Sequence, residues 1–268
     1  MISVCRDGHV AVLWLDRAQR RNAMNRLLFE QLRTAMELLS DDEETRAVVI
    51  AAKGTAFSVG LDLRELGADR AGAGETISGA ARARRTLDMV SVLQGAIGSV
   101  AACTKPVIAA VQGYCVGGGL DLISACDIRV CSSDATFSLR EARMAMVADL
   151  GSLQRLPLIV GMGQLAELAY TAKDIDAPRA EQIGLVNAVF PDAKATLEGA
   201  LLMARQIAAN SPLSVQGTKA MLREVRRGEV EAGLRYVAAW NAGQLWSSDL
   251  EEALSAFLER RPPSFSGD

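Results

Sequence analysis

The stretch KPVIAAVQGYCVGGGLDLISACDIRVC (105–131) sets an apolar strand, a glycine-rich turn, an amphipathic helix and a second strand end to end. A strand that passes through a turn into a helix and then into another strand is the unit of an α/β core. Glycine lets the backbone turn sharply and lets a ligand approach the amides. The first amides of the helix after the turn have no intrahelical partner, and the helix dipole adds positive potential there. On the glycines alone two readings stand: a tight turn, or a site for a phosphate or an oxyanion. A P-loop is not one of them, because no Lys-Ser/Thr pair follows the glycines.

The rest of the chain extends the α/β pattern. VAVLWL (10–15) predicts a buried strand, and AVVIAA (47–52) a short central one. Between them LLFEQLRTAMELL (27–39) carries Leu28, Leu32, Ala35, Met36 and Leu39 at helical spacing. KGTAFSVGLDLREL (53–66) predicts a loop running into a short helix. Its FSVGLDL segment again passes from a strand end through Gly60 to a helix start, so two loops could each supply one amide to a single oxygen. Residues 67–80, rich in Gly, Ala and Ser, predict a mobile loop beside the site, followed by a long helix to about residue 102. Beyond residue 194 the pattern is helical, with Pro212 at a helix start. The expected division is a core over 1–193 and a helical region over 194–268. That region lacks a sheet of its own to cover, which predicts packing against another subunit.

Composition narrows the chemistry. The formal net charge of −3 argues against a general nucleic-acid binder, while leaving room for a local basic groove. Cys5, Cys103, Cys115, Cys126 and Cys131 form no CxxC pair, and His9 is the single histidine, so no metal site is expected. The cysteines fit small core residues in a reducing compartment, and His9 a structural role. No signal-like leader and no apolar run of membrane length occur, which predicts a cytoplasmic protein without a membrane partner. Catalysis therefore falls to carboxylates and backbone amides. Three carboxylates stand out, each with an ordinary reading beside it. Asp121 suits the first turn of a helix, and Glu141, between Arg140 and Arg143, suits a surface ion pair. Asp149, which opens DLGSLQRL (149–156), suits the N-cap of the helix that follows.

AFSVGLDLREL, followed by KPVIAAVQGYCVGGGLDLISACDIRV, resembles the crotonase family, also called the enoyl-CoA hydratase/isomerase family. The resemblance runs from RRNAMN through SLQRL and GLVNAVFPD to AFLERR, nearly the whole chain. It implies an α/β spiral of ββα units with a helical C-terminal region that supports a homotrimer or a dimer of trimers. It also implies an acyl-CoA thioester as substrate, with the CoA part of that substrate and no separate cofactor. The implied oxyanion hole consists of the amides of Leu61 and Gly118. For CoA the resemblance points to Arg20, Arg21 and Ala23 (with Arg17 in the same loop), to Asp62, and to Phe257 and Arg260, the last two often reaching from a neighbouring subunit.

Asp121 and Glu141 stand where hydratases of the family carry their two glutamates, and ADLGS puts Asp149 where those enzymes show a glycine. The trio, with LISACDIR and LQRLP, resembles the dienoyl-CoA isomerase branch, which shifts a 3,5-diene to a 2,4-diene. Moving a proton from C2 to C6 spans several ångströms, so one carboxylate takes it and another delivers one, through a dienolate held in the oxyanion hole. Glu141 and Asp149 are expected to form that pair, with Asp121 assisting. The alternative is an enoyl-CoA hydratase using Asp121 and Glu141, with Asp149 as a cap. Other crotonase reactions rank third. An RNA-binding role needs a lysine-rich surface helix, which the scattered charges do not offer.

Overall fold

The apolar runs pair side by side in one sheet. The structure, a computed structural model, describes residues 1–65 and 78–267. Nine strands are described: β1 (Ile2–Asp7), β2 (Val10–Leu15), β3 (Ala47–Ala52), β4 (Val107–Val111), β5 (Tyr114–Val116), β6 (Ile128–Ser132), β7 (Thr136–Ser138), β8 (Ile175–Asp176) and β9 (Ala188–Phe190). The main sheet runs β1-β2-β3-β4-β6-β9, parallel from β2 onward, with β1 antiparallel at its edge. A second, three-stranded sheet runs β5-β7-β8. The chain alternates between the two: β4 and β5 lead into one helix, then β6 and β7 into further helices. This is the expected spiral of ββα units.

The α-helices that lie wholly within the described residues are α1 (Arg26–Asp41), α2 (Gly79–Ala102), α3 (Gly118–Ser124), α4 (Ser152–Arg155), α5 (Pro157–Val160), α6 (Met162–Thr171), α7 (Ala177–Gln182), α8 (Ala193–Ala208), α9 (Pro212–Gln244) and α10 (Ser248–Glu259). Asn25 caps α1, its side chain accepting the Leu28 amide, and the apolar face of α1 buries Leu28, Phe29, Leu32, Met36 and Leu39. Ser78 caps α2. The expected mobile loop at 67–80 therefore lies outside the described residues up to 77, and its last residues belong to this helix start.

Side chains alternate across the strands, and both faces of the main sheet are covered, which explains the unbroken apolar runs. Leu13, Val48, Ile50 and Val111 point to one side, toward α1, α2, α3 and the small sheet. Val10, Val12, Val49, Ile108 and Val130 point to the other, against Ala200, Ala204 and Ala208 of α8. Alanines four residues apart present a small-residue stripe, so α8 can lie close to the strands. The expectation that nothing after residue 194 has a sheet to cover is thus corrected at α8. Only α9 and α10 extend past the sheet, and Leu250 and Leu254 of α10 pack with Met89, Met144 and Met146. Four cysteines are buried as expected, while Cys5 on edge strand β1 is exposed. Among the described residues no helix is long and apolar enough to cross a membrane.

Candidate active site

The two glycine loops meet. The segment after Phe57 runs between two neighbours: Ser58 donates to and accepts from the β5 backbone, and Met24 pairs with both Gly60 and Asp62. Since alternate backbone groups of an extended segment point to opposite sides, pairing Gly60 O and Asp62 N with Met24 turns the Leu61 N–H away from it. Gly60 has φ +84°, and a Cβ there would lie 2.9 Å from Val116 O and 3.2 Å from Gly118 N. Only glycine permits that approach. Gly117, at φ 52° and ψ −123°, caps α3, so the Gly118 amide is the first of the helix. A Cβ on Gly118 would lie 3.7 Å from Leu61 N, so the two amides border one small space. Neither amide has a hydrogen-bond acceptor among the described residues. Two N–H groups converging without an acceptor can hold an oxyanion.

Three carboxyls share the adjoining cavity. A cavity of about 350 Å³ is lined by Leu61, Gly118, Asp121, Glu141 and Asp149 together. Its apolar wall includes Phe29, Val90, Leu93, Val147 and Leu245. Asp121, in the first turn of α3, is buried, whereas Glu141 and Asp149 keep partial access through the cavity. Asp121 Oδ1 accepts the Ser152 amide at 2.7 Å, so Asp121 satisfies the start of α4 from across the fold. The N-cap position of α4 is Gly151, and no side chain caps it locally. The capping reading of Asp149 is therefore corrected. Its Oδ2 instead accepts from Asn241 Nδ2 of α9 at 2.7 Å.

Glu141 opens a 3₁₀ turn (Glu141–Met144), and its Oε1 lies 3.4 Å from where a Gly117 Cβ would stand, beside the amide pair. Its Oε2 is buried without a hydrogen-bond partner among the described residues. The surface ion-pair reading fails as well, because Arg140 pairs with Asp174 at 2.8 Å. Burial and the neighbouring negative charges push the Glu141 carboxyl up to about 8. Burial likewise lifts Asp149 to about 6, against the bond from Asn241 that favours its ionised form. Burial raises Asp121 too, opposed by the Ser152 amide and the charge of Arg155.

The residues expected to hold CoA divide into two groups. Ala23 is buried beside cavity-lining Met24, and Asp62 lines the cavity itself. Asp62 also pairs with Arg17 at 2.7 Å, and Arg17 donates to Ala23 O. Burial alone would raise the Asp62 carboxyl, but the Arg17 bond and charge hold it below its ordinary value. Arg17 is therefore spent on internal structure. Arg20 and Arg21 are exposed on the turn after β2, and Phe257 and Arg260 are exposed at the end of α10; none of the four lines the cavity. Among the described residues no cluster of His, Cys, Asp or Glu could hold a metal ion. Neither Asn241 nor Gln94, whose Nε2 donates to Asp149 O at 2.7 Å, stands in a motif that marks it as part of the site. A polar amide inside an otherwise helical pattern is the only local signal either one offers.

This architecture is a crotonase fold. A family model described as enoyl-CoA hydratase/isomerase matches residues 6–268. The peroxisomal Delta(3,5)-Delta(2,4)-dienoyl-CoA isomerase of Arabidopsis thaliana is 41% identical over 263 residues, covering 97% of this chain and 94% of that protein. The mitochondrial protein of the same name from Rattus norvegicus is 39% identical over 255 residues, covering 94% of this chain and 77% of its own. The crystal structure of an enoyl-CoA hydratase/isomerase from Pseudoalteromonas atlantica superposes with a TM-score of 0.86 at 28% identity, covering 99% of both chains. The chain belongs to the enoyl-CoA hydratase/isomerase family, and it is an enzyme of that family with isomerisation favoured.

Proposed function

We propose that this enzyme converts a 3,5-dienoyl-CoA into the 2,4-dienoyl-CoA. The observation that carries the reading is the third carboxyl: Asp149 faces the same cavity as Asp121 and Glu141 and caps no helix. In this reading the thioester oxygen accepts from the Leu61 and Gly118 amides, which stabilise the charge that develops as C2 loses its proton. Glu141, beside those amides, takes the C2 proton. Asp149, held by Asn241 of α9, delivers a proton to C6, and Asp121 completes the charge balance. The reaction is a net proton shift, so no electron is stored and no atom is added. CoA enters as part of the substrate, and no separate cofactor is invoked. The test is a spectroscopic assay of 3,5-dienoyl-CoA beside crotonyl-CoA. Growth of the absorbance of a diene conjugated with the thioester carbonyl is the expected result, and turnover of crotonyl-CoA alone would make this a hydratase.

The acid–base pair sets a pH dependence. Below about 6 both Asp149 and Glu141 hold protons, so no base remains for C2. Above about 8 both are ionised, so no donor remains for C6. Between the two values the pair holds one proton; in the free enzyme it rests on Glu141, whose carboxyl is the more strongly raised, and the reaction draws on the minor arrangement with that proton on Asp149. A bell-shaped profile of kcat/KM with limbs near those values is expected. A profile flat from pH 5 to 9 would remove the pair from proton transfer.

A homotrimer, or a dimer of trimers, accompanies this reading. Helix α9 exposes Leu213, Met221, Leu222 and Val225, apolar side chains that cost free energy in water and that a neighbouring copy can cover. Light scattering at micromolar concentration is expected to give three or six times the chain mass. A stable monomer would overturn the assembly.

A further inference from the structure

Two primary amides from distant helices hold the loop that carries Asp149. Asn241, 2% exposed on α9, donates from Nδ2 to Val147 O at 2.9 Å and to Asp149 Oδ2 at 2.7 Å. Gln94 on α2 donates from Nε2 to Asp149 O at 2.7 Å and to Leu234 O at 3.0 Å. An amide nitrogen carries two hydrogens, and in both residues both are engaged. The orientation of Asn241 is thereby dictated: turned over, its own oxygen would face a carbonyl and a carboxylate. Asn241 meets Asp149 only as a donor.

We infer that Asn241 is a positioning residue for Asp149, holding Oδ2 so that Oδ1 is the oxygen that exchanges a proton with the substrate. Gln94 fixes the backbone of the same residue, and α9 thus reaches from the C-terminal helical region into the chemistry. The inference rests on the isomerase reading above. Charged groups near Asp149 come from several elements: Asp121 on α3, Glu141 on its 3₁₀ turn, and Arg85 and Asp88 of α2 on the same cavity. None of these charged groups is hydrogen-bonded to the Asp149 carboxylate, which accepts from the backbone of Asp149 itself and, among the described side chains, from Asn241. Its removal acts in one direction, since a lost donor makes the carboxylate harder to ionise.

Asn241→Leu keeps the size and removes both donors. The expected result is a kcat for 3,5-dienoyl-CoA lower by roughly tenfold to a hundredfold, part of what general acid–base catalysis contributes. KM should change little, and the acidic limb of the pH profile should move upward. The double variant Asp149→Asn/Asn241→Leu should be no slower than Asp149→Asn alone, because Asn241 acts only through Asp149. A merely structural Asn241 predicts the reverse: losses that multiply in the double variant and an acidic limb that stays in place. That result overturns the inference, as does wild-type kcat in Asn241→Leu while Asp149→Asn is slow, which leaves the isomerase reading standing. An Asp149→Asn variant that isomerises at the wild-type rate sinks the isomerase reading itself. If Asn241→Leu fails to fold, Asn241→Ser, with a single donor hydrogen, takes its place. An intermediate kcat with the limb shifted the same way supports the inference, and wild-type behaviour overturns it.

Discussion

Gly118→Pro is expected to lower turnover by roughly two to three orders of magnitude, the usual loss when one oxyanion donor is removed. The substitution is informative because of where Gly118 stands. It is the first residue of α3 after the Gly117 cap, the position at which a helix tolerates proline best, since the amide there has no intrahelical acceptor. Folding and the α3 ladder should therefore survive, and circular dichroism should show it. What disappears is the N–H that faces the cavity beside Leu61. A Cβ at this position would have Gly60 Cα and Leu61 N at 3.7 Å, an ordinary contact, and one tighter neighbour, Met24 Sδ at 3.4 Å. That contact is with the end of a flexible side chain, which can give way. A folded variant with near-normal kcat would take Gly118 out of the oxyanion hole. Loss of turnover with acyl-CoA binding retained would keep it there.

The parts of this fold that are legible in the sequence are those whose partners are supplied by periodicity alone. Strands β2, β3 and β4 are apolar on both faces, and α1 has one apolar face, so each announces itself within a few residues. Strand β1 does not. Five of its six residues are exposed, and it exists because β2 offers an open edge. Strands β5, β7 and β8 have three, three and two residues, too few for an alternation to register. Their pairing depends on the chain returning to the same place.

The site divides along the same line. Leu61, Gly118 and the three carboxyls are locally marked, by glycines or by motif position, and they do converge on one cavity. The connections between them are long-range. A local capping rule assigns the start of α4 to Asp149, three residues before Ser152, but the chain folds Asp121 onto that amide from 31 positions away. Asp149 is thereby released from capping and turned toward Asn241, 92 positions further on. No spacing rule spans such distances. Their reason is the burial of the α3 start against α4, where an unmet amide would cost free energy and a carboxylate is at hand.

That exchange of partners gives the Asp149→Asn variant its meaning. Asparagine has nearly the shape of aspartate and keeps an oxygen for the Asn241 donor, so the loop and α9 should stay in place. Because Asp121 serves the Ser152 amide, nothing at the start of α4 is lost. The melting temperature should hold or rise, since a desolvated carboxyl beside Asp121 has been removed. Dienoyl-CoA isomerisation, by contrast, should fall by roughly two to four orders of magnitude, because the proposed mechanism draws the C6 proton from Asp149. Any hydration of crotonyl-CoA, which needs no proton at C6 and draws on Asp121 and Glu141, should fall far less. The ratio of the two activities is the quantity to measure, since a general defect in folding or CoA binding moves both together. A small and equal effect on both would remove Asp149 from proton transfer and leave a two-carboxylate hydratase as the better description.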